Sequence, residues 1–361
     1  MNFNILKRRY VGLDIFRVVS VLVICAFHTT IHLGANYGIL QSVSQMGAVF
    51  MTAFFMLSGF SLFVNYSGSD LVKIGNLKRF WIKRIIGLIP MYYIASVLFI
   101  ISNFSKDTVI QDIILAPIEI LCIQSDFSSL FGFTHNSGTW FISCIMMCYL
   151  VYPLLQEIAK QFSKKAKIIT VILCSFILLY SPLVVWKFGI SGIYSNPYFR
   201  ILEFSIGVML AALKPELDKL TFCKKYVYNW ITLLLVDVIM IIGITCAVKL
   251  GISVGNYMLY NWICLPCFIV ILIGISGVES KFLDKSKLLK YCSAISYVFF
   301  LAQLFSNRIC KWIIAKYAIT NNLLVILLGW SICIVITVAF HEILERPITK
   351  FLKKKTTCLI T

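Results

Sequence analysis

The chain has 361 residues, of which 60% are hydrophobic and 13% charged, and its mean hydropathy is +0.90. Soluble domains average about 45–50% apolar and about 25% charged residues, so a single water-soluble core cannot hide this much apolar surface. That excludes a soluble enzyme, a disordered regulator and a disulfide-stapled secreted module. It also assigns the formal charge of +18 to membrane topology rather than to nucleic-acid binding.

In chain order, ten segments approach the ~20 mostly apolar residues that a bilayer-crossing helix needs. They are 11–33, 46–65, 85–102, 138–156, 168–186, 198–213, 227–248, 258–276, 291–310 and 321–344. The expected fold is all-α: a multi-pass membrane protein with one integral membrane domain over 1–361. Lys7-Arg8-Arg9 precedes the first apolar run, but that run carries Asp14 and Arg17 and reaches Leu33, so no cleavable leader is expected. Residues 103–137 form a long outer loop. Within it 109–123 is apolar but broken by Asp112, Pro117 and Glu119, which fits a re-entrant or interfacial helix better than a span.

The thirteen cysteines lie mostly inside apolar runs, where thiols serve as small hydrophobes. Cys264-Leu-Pro-Cys267 has redox spacing but lacks the strand context of a redox motif. The tail around Cys358 mimics a prenylation box, which a chain with many spans does not need.

Basic residues orient the spans. With the N-terminus inside, the inner segments hold 25 of the 33 Lys and Arg residues and the outer ones hold 5, Lys106, Lys187, Lys249, Lys311 and Lys316. That bias places both termini in the cytoplasm.

Ionisable groups within spans are candidate functional residues. The first span carries Asp14, Arg17, His28 and His32. At about 100° per residue, Arg17 and His28 differ by about 20°, and Asp14 and His32 lie about 40° to either side of His28. All four share one face. Arg17 and His28 stand about 16 Å apart along the axis, so a reaction using both needs an elongated molecule between them. Spacing alone also allows Asp14–Arg17 as an i,i+3 pair fixing the helix end, with His28 a satisfied interior histidine. Other polar positions are Ser58-Gly59, Arg200 with Glu203, and Gln303 with Arg308. Arg200 and Glu203 can neutralise each other, and Ser58-Gly59 can serve close helix packing.

Several motifs, in order, resemble acyltransferase family 3, the integral membrane O-acyltransferases of bacterial surface glycans. Leu13-Asp14-Ile15-Phe16-Arg17 through His28 resembles the family's opening. Phe54-Phe55-Met56-Leu57-Ser58-Gly59-Phe60 and Lys83-Arg84 through Pro90 follow, then Gly138-Thr139-Trp140-Phe141 with Tyr149 and Pro153. Arg200, Glu203 and Gly207, then Ile295-Ser296-Tyr297, and Glu345-Arg346-Pro347 complete the series. Gly87 replaces the family's second arginine, no glutamate follows Trp140-Phe141, and Gln303 stands near a position that is often histidine.

The resemblance implies transfer of acetyl from cytoplasmic acetyl-CoA to a sugar hydroxyl of a cell-surface glycan, at the bacterial cytoplasmic membrane. Arg79, Lys83 and Arg84 would hold the CoA phosphates, since arginine pairs with phosphate bidentately. His28 would act as base or acyl carrier, and Arg17 would position the donor. Ser58 or Trp140 would donate to the oxyanion. Asp14, Arg200 and Glu203 would support the site, and His135 would touch the acceptor or be a solvated loop histidine. His341 reads as structural. The expected partners are the bilayer, acyl-CoA and the glycan; no nucleic acid, metal or resident cofactor is expected. A transporter or flippase of a lipid-linked saccharide, or a non-catalytic family member, also fits the polar interior.

Overall fold

The computed structural model describes residues 9–103, 109–127, 137–188, 193–251 and 257–357. His135 and Cys358 lie outside them. All regular structure among the described residues is helical. The principal helices are α1 (Val11–Leu33), α2 (Gly47–Tyr66), α3 (Ile74–Asn103), α4 (Val109–Ile120), α5 (Trp140–Gln161) and α6 (Lys164–Phe188). They continue with α7 (Pro197–Leu217), α8 (Trp230–Lys249), α9 (Tyr257–Ile275), α10 (Lys287–Lys316), α11 (Asn322–Ala339) and α12 (Arg346–Thr357).

Each of the ten apolar segments is a helix. Among the described residues, eight helices are long and apolar enough to cross a membrane. The sixth segment, α7, is not among them. Arg200, Glu203, Lys214 and Glu216 lower its hydropathy, and it is central rather than lipid-facing, buried continuously from Glu203 to Lys214. The eighth is shorter: the apolar stretch of α9 is Asn261–Ile275.

The centre of the bundle is the α2–α7 crossing. A Cβ on Gly59 would sit 2.1 Å from the Phe204 carbonyl oxygen, and one on Gly207 would sit 1.9 Å from that of Met56. The two glycines face each other's backbone, which is the close approach that small residues permit between membrane helices. Around this pair pack α1, α5, α6 and α9. Further out, α6, α8 and α11 present Ile172, Leu234 and Val335, all at least half exposed, where lipid chains would lie.

Contacts gather the basic segments at one end. Lys160 Nζ donates to the Ser69 carbonyl at 2.9 Å, Lys167 Nζ lies 3.8 Å from Glu216, and Arg9 donates to the Asp284 carbonyl at 2.9 Å. At the other end Asn36 and Asn322 exchange hydrogen bonds of 2.8 and 2.7 Å. α1 stops there because Gly34 takes φ +71° and its N–H returns to the Thr30 carbonyl. Residues 109–120 form α4, which exposes Ile110, Ile113 and Ile114. Its last turn is tied to α3 by Tyr92 and Tyr93, whose hydroxyls donate to the Glu119 and Ile120 carbonyls at 2.7 and 2.6 Å.

Candidate active site

From Gly47 to Val64 every residue of α2 is buried except Phe54, Ser58 and Ser61. Their spacings of four and three residues make one stripe. On a helix enclosed by other helices, an accessible stripe faces an internal cleft rather than lipid. Half-buried Tyr297, Phe300 and Leu304 form the matching stripe on α10, and half-buried Arg17 and His28 lie on α1. Side-chain contacts close the ring. Arg17 donates to Ser61 on α2 at 3.4 Å and to Ser293 on α10 at 2.9 Å. Tyr297 donates to the Leu88 carbonyl on α3 at 2.8 Å. Phe141 of α5 bridges Phe54 and Phe300, with ring centroids 5.5 and 5.2 Å apart.

At the basic end, Asp14 accepts from Ser293 at 2.6 Å and from Arg9 at 2.7 Å, and lies 3.5 Å from Arg17. The i,i+3 pair forms, yet Arg17 still keeps about a quarter of its side chain accessible, at 27%. Arg84 is half-buried in an aromatic box. Its guanidinium lies 5.4 Å from the Tyr66 ring, 6.0 Å from Phe80 and 5.7 Å from Tyr149, and it donates to the Tyr66 hydroxyl at 3.3 Å. Arg17 donates to Ser61 and Arg84 to Tyr66, five residues apart near the end of α2, so both cations lie at the same end of the bundle. Arg79 and Lys83 are exposed outside the box.

At the other end, His28 stacks on His32 with centroids 5.5 Å apart and planes 4° apart, and its Nδ1 is buried with no hydrogen-bond partner. α1 and α10 run parallel, as contacts show at successive heights. Arg17 meets Ser293, Val21 and Cys25 pack with Phe299, and His32 lies in electrostatic range of Lys311. His28 is three residues beyond Cys25, and Gln303 four beyond Phe299, so the two stand at one level. Gln303 is buried, and neither atom of its amide has a partner. Buried polar groups are normally satisfied, so these unpartnered atoms set His28 and Gln303 apart within the bundle.

Other anticipated residues are engaged elsewhere. The Ser58 hydroxyl donates to the Phe54 carbonyl at 2.8 Å, the usual recourse of a serine in mid-helix. Trp140 lies on the Arg200 guanidinium at 5.2 Å, with Phe55 and Tyr194 on its other sides at 5.3 and 5.1 Å. Arg200 pairs with both oxygens of Glu203 at 2.8 Å, and Thr52 donates to Glu203 at the same distance. Its Nε and Nη2 donate to the Tyr194 carbonyl at 3.0 and 2.7 Å. This is an internally neutral structural pair. His341 bonds Glu345 at 2.5 Å, well away from His28 at the basic end. Cys264 and Cys267 are free thiols within α9. The sequence reading did not single out Ser61, Ser293 or Tyr66. The available signal was their register: Ser61 continues the stripe of Phe54 and Ser58, and Ser293 precedes the Ile295-Ser296-Tyr297 motif by two residues.

A family model described as an acyltransferase domain matches residues 10–342. The chain belongs to the acyltransferase 3 family. The match takes in the whole helical bundle from α1 to α11. Comparison with curated proteins and with solved structures gives no match. A membrane acyltransferase needs an acyl donor and an acceptor, and the cleft offers two chemically different ends. One holds two arginines, and the other a pair of histidines and an unsatisfied amide.

Proposed function

We propose that this acyltransferase moves acetyl from acetyl-CoA, entering at the basic end, to a sugar hydroxyl of a cell-surface glycan at the His32 end. The observation that carries the reading is the unpartnered Nδ1 of half-buried His28, level with the unpartnered amide of Gln303. The basic end faces the cytoplasm in this account, by the positive-inside bias and by the contacts that collect those loops. α4 does not cross: the Lys160–Ser69 contact joins loops on either side of it at the same end. The membrane is the bacterial cytoplasmic membrane.

The chemistry follows from the two ends. Arg84 and Arg17 take the donor's phosphates and upper arm, and the pantetheine thread spans the distance to His28. The acceptor hydroxyl attacks the thioester carbonyl while His28 takes its proton, a role worth about 10²–10⁴-fold. Gln303 donates an amide N–H to the carbonyl oxygen as charge develops, in place of the committed Ser58 and Trp140. The C–S bond then breaks, and His28 returns the proton to the thiolate. An acyl-histidine route uses the same residue in two steps.

The test is transfer of radiolabelled acetyl from acetyl-CoA into membrane glycan by membranes containing the chain. Label above that of membranes lacking it supports the reading. Label only in water-soluble acetate, or a protein that moves saccharide without consuming donor, contradicts it.

A further inference from the structure

The accessible stripe of α10 does not end with the cleft's aromatic part. Tyr297, Phe300, Leu304, Arg308 and Lys311 succeed one another at three- or four-residue spacings, within about 40° of a common direction. The first three are half-buried, while Arg308 and Lys311 are exposed. On α1, the face of Arg17 and His28 continues to half-buried His32, which the parallel packing of α1 on α10 sets near the height of Arg308 and Lys311. One face of each helix therefore leads from the cleft to a shared mouth.

That mouth is cationic and aromatic. Arg308 lies over the Phe99 ring at 4.1 Å, and Lys316 over Trp312 at 4.7 Å, with the Trp312 ring 61% exposed. Among the described residues no carboxylate pairs with Lys311 or Lys316. The placement runs against the chain's own distribution. Segments at this end hold only 5 of the 33 basic residues, yet two of those and Arg308 fall within nine residues of α10. Lys311 and Lys316, with no carboxylate beside them among the described residues, focus the potential of a low-dielectric mouth on anions.

We propose that this mouth binds the acceptor and that the acceptor is an anionic glycan, bearing carboxylate or phosphate groups. The identity of the bound molecule as acceptor rests on the acyl-transfer reading; the binding does not. Arg308, Lys311 and His32 meet its charged groups, Trp312 offers a ring face to a sugar, and the chain then lies with a hydroxyl towards His28. Interfacial anchoring is the ordinary use of Trp and Lys at helix ends and suits Lys316, but Arg308 and Lys311 lie along the cleft's stripe, with Trp312 at its rim.

Fluorescence anisotropy of labelled oligosaccharides with the purified full chain in uncharged detergent tests the proposal. The probes are oligogalacturonate, oligo(glycerol phosphate) and a neutral oligogalactoside of equal length. At least one anionic probe should bind and the neutral one should not. Lys311→Glu should weaken binding about fivefold to tenfold, Lys311→Arg should retain it, and added salt should weaken it. Failure of both anionic probes to bind, equal binding of the neutral probe, or no effect of Lys311→Glu would overturn the proposal. So would displacement of the probes in nanodiscs by phosphatidylglycerol but not phosphatidylcholine, because that assigns the mouth to lipid headgroups. Because the readout is binding, these outcomes are independent of whether acyl transfer is observed.

Discussion

Among single residues, the proposed function rests its chemistry on His28 and Gln303 and donor binding on Arg84. His28→Ala should lower transfer at least about 10²-fold with folding unchanged in gel filtration. Gln303→Leu should lower kcat by about 10²–10³-fold with little change in KM for acetyl-CoA, the pattern of a group that acts in the transition state. Arg84→Ala should do the reverse and raise that KM while sparing kcat. Steady-state kinetics on solubilised protein separates the three. His28 and Arg17 stood out in the sequence as ionisable residues in an apolar span, and Arg84 through the resemblance of its basic stretch. Gln303 stood out as a polar residue in a span and as a departure from a pattern, and Ser61 and Ser293 not at all. Serines are common on membrane helices, and only packing shows which of them meet a guanidinium. The oxyanion roles expected for Ser58 and Trp140 depended on side-chain direction. Ser58 turns to its own backbone, and Trp140 is occupied by Arg200.

For the helices, each of the ten segments read from the sequence is helical, but the reading treated α7 as one span among equals. Its charges mean something different in context: Arg200 and Glu203 are a buried neutral pair that fastens α7 to α2 through Thr52. Glu203→Gln leaves the guanidinium without its counter-charge and should cost about 3–5 kcal/mol, seen as a large drop in thermal stability in detergent. The double change Arg200→Met with Glu203→Leu should cost less than Glu203→Gln alone. Gly207→Leu should fail to assemble, because its side chain would enter the Met56 backbone; loss of a monodisperse gel-filtration peak is the check. The glycine–glycine crossing was half legible, since Ser58-Gly59 was read as a packing element but its partner on α7 could not be named from one sequence. α4 shows the same limit. Its breakers predicted a segment that does not span, and only the tyrosine hydrogen bonds show where it is held.

Over the whole molecule, the architecture is a helical bundle with most of its basic loops gathered at one end. Charge counting predicted the asymmetry, and the contacts among Ser69, Lys160, Lys167, Glu216, Arg9 and Asp284 show the basic segments meeting. Which end faces the cytoplasm, and whether the cleft joins donor to acceptor, can be read together. The decisive measurement uses sealed vesicles of uniform orientation, with radiolabelled acetyl-CoA supplied to one face and glycan acceptor to the other. The account predicts label in the glycan only when donor meets the face bearing the basic loops, and none with folded His28→Ala. Equal labelling from either face, or undiminished labelling by His28→Ala, would contradict it.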